Sequence, residues 1–138
     1  MAYMSFLDSL LTGKEIEIYG TDGGRRSYSH VTDVVSTIHQ IIEASKIVNN
    51  ELSKSNYFEV LNIGNPENTS ALELLNLLER YSGRTAHLRF VKRPIFDVYN
   101  TKCSMEKTFS YIPRFDFLNV EQGIALFTPW YLDYFSKK

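Results

Sequence analysis

The sequence predicts an α/β fold, and three observations carry the prediction. Glu15–Tyr19 ("EIEIY") alternates strictly between polar and apolar, the pattern of a half-buried strand. Apolar residues at helical spacing stand on either side of it, over residues 2–12 and again after Thr32. A third stretch, Phe58–Ile63, is apolar enough for a strand covered on both faces, as in a parallel sheet.

Taken in order, residues 2–12 place Met4, Leu7, Leu10 and Leu11 on one helical face, with Gly13 as the stop. In Glu15–Tyr19, Ile16 and Ile18 face inward. "TDGG" then turns the chain, because Asp-Gly tolerates positive φ, and a hairpin is expected there. Residues 26–31 ("RSYSHV") read as the second strand of it. Val34, Val35, Ile38, Ile41 and Ile42 follow as one buried helical stripe. Residues 49–56 ("NNELSKSN") read as a polar loop before the apolar strand. Ser70 and Glu73 form a capping box for a helix whose apolar positions include Leu72, Leu75 and Leu78, whose outer face is polar at Glu79, and which Gly83 ends. "AHLRFV" (86–91) is a strand closed off by Pro94. A short helix is expected around Ser104–Tyr111, before Pro113. Asn119 and Gln122 make a second capping box for the last helix, which runs towards Phe135. Pro129 inside that helix removes a hydrogen bond and predicts a cost of ~3 kcal/mol or a kink. The resulting order is α-β-β-α-β-α-β-α-α. A lone apolar strand between helices reads as the edge of a larger parallel sheet, because 138 residues cannot comfortably cover both its faces.

Composition narrows the function classes. Hydrophobic residues make up 43% and aromatics 14%, enough for a packed core and against disorder. The net charge of -1 gives no global field for nucleic acid or a membrane surface, so any anion site must be built locally. Cys103 is the single cysteine, which excludes an internal disulfide and a cysteine-rich zinc site and suits a reducing cytoplasm. The N-terminus lacks the pattern of a signal peptide, and no segment approaches the ~20 apolar residues of a membrane span.

Motifs for chemistry are few. His30, His39 and His87 have no metal-ligand spacing and are read as structural. No G-x-S-x-G is present, and Cys103 has no nucleophile signature around it. "NTS" (68–70) matches a glycosylation acceptor, but the helix cap explains Ser70 more simply. "GTDGG" does not open a helix, as a phosphate-cradling loop must. Tyr134 and Lys138 have dehydrogenase-like Tyr-x-x-x-Lys spacing, but they lie at a fraying end where nothing could hold a cofactor. That leaves Arg26 and Arg93, planar forks suited to phosphate oxygens, which on spacing alone read equally as surface residues.

Several stretches resemble, in order, the C-terminal portion of extended short-chain dehydrogenase/reductases. The resemblance is to the nucleotide-sugar epimerases and dehydratases, and most of all to the UDP-glucuronate 4-epimerase type. "LLTGKEIEIYG" is similar to that family's helix-strand step. "GRRSYSHVTDVV" resembles its Arg-Asp-Phe/Tyr-x-x-(Ile/Val)-x-Asp stretch, with Ser27 where Asp is usual. "FEVLNIGNPENTSALELL" resembles its Asn-Ile-Gly loop and helix, and "RPIFDVYNTKCSMEK" its Arg-x-x-Phe-Asp-Val or Arg-x-Gly-Asp-Val segment. "NVEQGIALFTPWYLDYF" resembles its closing helix.

The resemblance implies that residues 1–138 form a C-terminal nucleotide-sugar-binding region, a fragment of an extended Rossmann-type fold without the N-terminal dinucleotide-binding part. It implies that Arg26 and Arg93 reach the pyrophosphate of a UDP-sugar, with Asp97, Tyr99 and Asn62 shaping the pocket. NAD is implied for the full-length family protein and not for this chain alone, because the glycine motif and the catalytic Tyr and Lys are not in it. A 4-epimerase part, not catalytic alone and serving polysaccharide synthesis, is the leading expectation. It would pair with a complementing Rossmann-domain chain or self-associate. A stand-alone sugar-nucleotide-binding or interaction protein, or a decayed fragment, are the alternatives.

Overall fold

The computed structural model describes residues 2–52 and 58–137. Helix α1 (Ala2–Thr12) leads into β1 (Glu15–Tyr19) and a two-residue β2 (Arg25–Arg26). Helix α2 (Val31–Leu52), a two-residue β3 (Thr69–Ser70), α3 (Ala71–Ser82) and β4 (His87–Val91) follow. A single 3₁₀ turn (Thr108–Ser110) precedes α4 (Val120–Ser136). The string of elements matches the expected order, but the third strand is a different one.

β1 and β4 pair in parallel, in the register Ile16↔Leu88 and Ile18↔Phe90, with α3 in the crossover between them. Ile16 and Ile18 point at the core, as the alternation required, and Glu15, Glu17 and Tyr19 point away from it. On the polar face Arg89 of β4 spans two carboxylates of β1, with Nε 2.7 Å from Glu15 and Nη2 against Glu17. Three helices close the apolar face. Leu7 and Leu10 of α1, Leu74, Leu75 and Leu78 of α3, and Ile124 and Tyr131 of α4 are all buried there. Each such leucine contributes ~1.5–3 kcal/mol of burial. Leu74 is fully buried beside the expected Leu75, while the expected Leu72 is only half-buried.

Both predicted capping boxes are present. Ser70 Oγ accepts from Glu73 N at 3.1 Å while the Glu73 carboxylate accepts from Ser70 N at 2.8 Å, and Gly83 ends α3 in the left-handed region. Asn119 and Gln122 reciprocate in the same way at α4. Helix α4 continues through Pro129. An aromatic series along it, in which Tyr131 packs on Phe127 and Phe135, holds the helix to the core.

Six expectations need correction. "TDGG" turns the chain but closes no hairpin, because β1 pairs with β4 and β2 pairs antiparallel with β3. The strand expected over 26–31 is confined to Arg25–Arg26, since the side chains beyond it take over the hydrogen bonding: Ser27 Oγ accepts from Cys103 N and Ser29 Oγ from Asn65 N. Phe58–Ile63 is not a strand. A strand needs a neighbour for its N–H and C=O groups. Here the carbonyls of Val60 and Asn62 accept from the side chains of Lys107 and Thr108, and Phe58 and Val60 are exposed. The helix expected around Ser104–Tyr111 contracts to the 3₁₀ turn. The stripe on α2 exists but is not fully buried: Val35, Ile38 and Ile42 are exposed, Val34 and Ile41 are half-buried, and Thr37 is fully buried. Of the polar loop expected at 49–56, residues 49–52 finish α2 and 53–56 lie outside the described residues, as does Tyr57.

Candidate functional site

The short β2 strand sits between two partners. Its far side pairs with β3, and its near side receives the chain at Tyr99–Thr101, where Arg25 N donates to Tyr99 O at 2.8 Å and Thr101 N to Arg25 O at 3.1 Å. Successive side chains of a strand point to opposite faces. Arg25 therefore turns towards α3, where its guanidinium bonds Asn68 and reaches Glu73 Oε2 at 3.2 Å. Arg26 turns the other way, towards the segment that carries Arg93, Asp97 and Tyr99.

There the carboxylate of Asp97 joins two arginines. Its Oδ1 lies 3.2 Å from Arg26 Nη2, and its Oδ2 accepts from Arg93 Nη1. Arg93 also donates through Nη2 to Tyr19 O at 3.0 Å, and its Cζ stands 5.0 Å over the Tyr99 ring. The Tyr99 hydroxyl donates to Asp22 Oδ2 at 2.9 Å, and Asp22 Oδ1 accepts from Gly24 N at 3.0 Å. Asp22 Oδ1 is also 3.8 Å from Arg93 Nη2. The Gly24 N–H, the Tyr99 hydroxyl and the nearby Arg93 and Arg25 charges hold the Asp22 carboxyl below its usual range. The same hydrogen bond and the Asp22 charge raise the Tyr99 phenol.

Both guanidinium groups are thus held in place with donors to spare. Arg26 gives two N–H groups from Nη1, to Arg25 O and Tyr99 O, and one from Nη2, to Asp97. Arg93 gives one from Nη1 and one from Nη2. Each arginine has five N–H donors, so, among the described residues, two remain on Arg26 and three on Arg93. Two guanidinium groups held in this way keep N–H donors that an anion could accept from.

Four of the five expected site residues come together: Arg26, Arg93, Asp97 and Tyr99. Asn62 does not join them. It packs instead against the 104–108 segment, with Nδ2 donating to Ser104 O at 3.4 Å and its carbonyl accepting from Thr108. Asp22 and Gly24 belong to the cluster and were not expected in it. The only sequence signal was the Asp-x-Gly spacing of an Asx turn, which says nothing about an arginine 71 residues later. A Cβ on Gly24 would meet Tyr99 O at 2.7 Å and Arg93 Nη1 at 2.9 Å, and the residue has φ +77, so this approach requires glycine.

Other sites fit less well. An open groove of about 570 Å³ is lined mainly by Tyr3, Tyr28, Val34, Phe127 and Trp130, and offers no arginine or lysine to an anion. Gly20, Gly23 and Gly24 lead into β2 rather than opening a helix, and the first turns of α2, α3 and α4 each carry an acid, Asp33, Glu73 and Glu121. No group of His, Cys, Asp and Glu among the described residues could hold a metal ion, and no helix among them is long and apolar enough to cross a membrane. His30 bonds Thr32, while His39 and His87 are exposed. Burial pushes the Cys103 thiol up, away from the reactive thiolate. Tyr134 stacks on Trp130, and Lys138 lies outside the described residues.

No protein-family model matches the chain. An uncharacterised protein of Methanocaldococcus jannaschii is 29% identical over 136 residues, 96% of this chain and 38% of the relative. A probable UDP-glucuronate 4-epimerase of Rhizobium meliloti is 26% identical over 143 residues, 95% of this chain and 41% of the relative. Among solved structures, the UDP-glucuronic acid 4-epimerase of Bacillus cereus, in complex with UDP-glucuronic acid and NAD, superimposes with a TM-score of 0.73 at 22% identity. That match covers 97% of this chain and 40% of the enzyme. Several of the relatives and solved structures are named as UDP-glucuronate or UDP-glucose 4-epimerases, one solved structure is a dTDP-glucose 4,6-dehydratase, and these matches run over nearly the whole length of the chain. The fold is that of a portion of an extended short-chain dehydrogenase/reductase. The chain spans about two fifths of the length of the curated relatives it matches.

Proposed function

We propose that this chain is the nucleotide-sugar-binding part of an NAD-dependent 4-epimerase acting on a UDP-sugar of the UDP-glucuronate kind. In this reading residues 1–138 form one C-terminal region, and Arg26 and Arg93 hold the two phosphates of the ligand. The observation that carries the reading is the sharing of Asp97 by both arginines. One carboxylate fixes two guanidinium groups side by side and leaves N–H donors on each for a diphosphate. Tyr99 supports Arg93 from below through its ring.

Hydride transfer in such an enzyme needs NAD together with a catalytic tyrosine and lysine. In this reading the chain's own contribution is to bind and orient the diphosphate. A complementing Rossmann-domain chain, or a second copy of this one, is the partner. The outward apolar stripe on α2 and the exposed Phe58 and Val60 support a partnered state rather than a stand-alone binder. A cytoplasmic role in polysaccharide synthesis accompanies this reading.

Magnitudes set the expected affinity. Two charge-assisted arginine contacts contribute ~1.5–3 kcal/mol each, while association costs ~4–15 kcal/mol. The chain alone should therefore bind UDP-glucuronate weakly, in the millimolar range. Titration of UDP-glucuronate into the 138-residue chain, followed by amide NMR shifts, tests this. Weak binding centred on β2 and residues 93–99, lost in Arg26→Ala, is the expected result. Tight binding by the chain alone, or binding that survives Arg26→Ala, overturns the proposal.

A further inference from the structure

Asp22 stands on the turn between β1 and β2, and that turn is tied to the start of α3. The first turn of a helix leaves backbone N–H groups without partners inside the helix. Two of them are taken up here, Leu72 N by Asp22 O and Ala71 N by Gly24 O, both at 3.0 Å. The backbone of Asp22 is thereby fixed to a helix that closes the core. Its carboxylate uses both oxygens: Oδ1 accepts from Gly24 N at 3.0 Å, and Oδ2 from the Tyr99 hydroxyl at 2.9 Å. The Arg93 guanidinium lies against the same two residues. Its Cζ is 5.0 Å from the centre of the Tyr99 ring, and a Cβ on Gly24 would meet its Nη1 at 2.9 Å. Tyr99 is 51% exposed, so packing does little to fix its ring. Among the described residues, its hydroxyl bonds Asp22 alone.

We infer that Asp22 is a positioning residue of the anion site: it holds the Tyr99 ring and the Gly24 backbone against the Arg93 guanidinium, and through the shared Asp97 its hold extends to Arg26. The inference rests on the reading of the two arginines as a diphosphate site. Charge alone predicts the opposite sign for Asp22. Its Oδ1 is 3.8 Å from Arg93 Nη2, and a carboxylate so close to the cation repels an anion bound there. If charge were all that Asp22 contributed, removing it would tighten anion binding. A binding group works only while its neighbours lock its orientation. Removing Asp22 therefore frees the Tyr99 ring, loosens Arg93 and weakens binding, in spite of the negative charge lost. The sign of the effect separates the two roles.

The test titrates UDP by NMR, at millimolar concentration, into the 138-residue chain and its Asp22→Ala, Asp22→Asn, Tyr99→Phe and Arg26→Ala variants. The Arg93 Nε–H resonance, which the Tyr99 ring current displaces, is followed in each. Tyr99→Phe removes only the bond to Asp22 and leaves the Gly24 turn intact, so it carries the test even where Asp22→Ala disturbs the fold. Asp22→Asn keeps an oxygen for Gly24 N and offers the phenol oxygen an amide donor. The expected result is that Asp22→Ala and Tyr99→Phe each weaken UDP about fivefold, the worth of one hydrogen bond. In both variants the Arg93 resonance should lose its ring-current displacement. Asp22→Asn should keep that displacement and bind at least as tightly as the wild type. A loss of stability alone would not move the Arg93 resonance. UDP binding that is unchanged or tighter in Tyr99→Phe, an Arg93 resonance that stays in place, or Asp22→Asn as weak as Asp22→Ala overturns the role of Asp22. In each of those cases, binding that is lost in Arg26→Ala leaves the arginine site standing. If UDP does not bind the wild-type chain, or still binds Arg26→Ala, the diphosphate site fails and the role of Asp22 with it.

Discussion

Arg25 and Arg26 are consecutive in the chain and anchor opposite neighbours: Arg25 reaches Glu73 at the start of α3, and Arg26 reaches Asp97 beside Arg93. The period of the strand makes this division, since a two-residue strand shows one side chain to each face. The two arginines should therefore separate on substitution. Arg25→Ala should cost about 1 kcal/mol in urea unfolding, the scale of a half-exposed ion pair with its added hydrogen bonds, and should keep the response to UDP. Arg26→Ala should cost no more than about 1 kcal/mol and lose the response. An Arg25→Ala variant that fails to bind while remaining folded would contradict the division.

Gly24 provides a second, purely steric prediction. A Cβ there would stand 2.7 Å from Tyr99 O, the carbonyl that accepts from both Arg25 N and Arg26 Nη1, in a backbone with φ +77. Gly24→Ala should cost about 1–3 kcal/mol and should shift the amide resonances of residues 99–101. Gly20→Ala is the control. Its φ is +70, but nothing lies closer than 3.7 Å to the added carbon, so only the left-handed conformation is penalised, by about 1–2 kcal/mol. Equal destabilisation of the two variants would remove the steric argument.

Local signals in the sequence were legible, and pairings between distant segments were not. The alternation of Glu15–Tyr19, the two capping boxes and the Gly83 stop each involve residues within a few positions of one another, and each appears as read. The hairpin failed because β1 finds its partner 72 residues on, across α3, which an Asp-Gly turn cannot announce. The apolar stretch Phe58–Ile63 and the stripe of α2 have the composition of buried elements, but within the described residues Phe58, Val60, Val35, Ile38 and Ile42 stay exposed. Composition records that a face is apolar and not what lies against it. In the site, Arg26, Arg93, Asp97 and Tyr99 were reached through family resemblance rather than spacing. Asp22 escaped because its turn chemistry was a sufficient local explanation. Asn62 stands apart from the arginine cluster because the stretch expected to be a strand bonds the 104–108 segment instead.

The α3 cap carries a pH dependence whose sign follows from its geometry. The Ser70 N–H, the Ser70 hydroxyl and the Arg25 charge hold the Glu73 carboxyl below its usual range. A carboxyl lowered in the folded state stabilises the fold above the ordinary glutamate range, and that contribution is lost as pH falls through the lowered value. Acid should weaken the chain in that window, and Glu73→Gln should flatten this limb of the stability curve. Asp22, lowered in the same direction, retains part of the slope. Ser70→Ala should cost about 1 kcal/mol at neutral pH, the usual worth of an N-cap. A stability curve equally steep in Glu73→Gln would show that the cap does not titrate as described.

The apolar stripe on α2 gives the prediction on assembly. Val31, Val35, Ile38 and Ile42 follow one another at spacings of four, three and four, which places them on one side of the helix, and all four are exposed. Phe58 and Val60 add exposed apolar surface without a covering element among the described residues. Contiguous apolar surface of this kind marks an interaction face. In the absence of another partner, the chain should self-associate at micromolar concentration, and light scattering should report a mass above that of the 16.0 kDa monomer. Replacing Ile38 and Ile42 together by Glu should return the mass to that of the monomer. Because both side chains face outward, the double variant should keep its helical circular dichroism and its UDP response. A wild-type chain that runs as a monomer at that concentration would mean that the stripe is not an interface between copies.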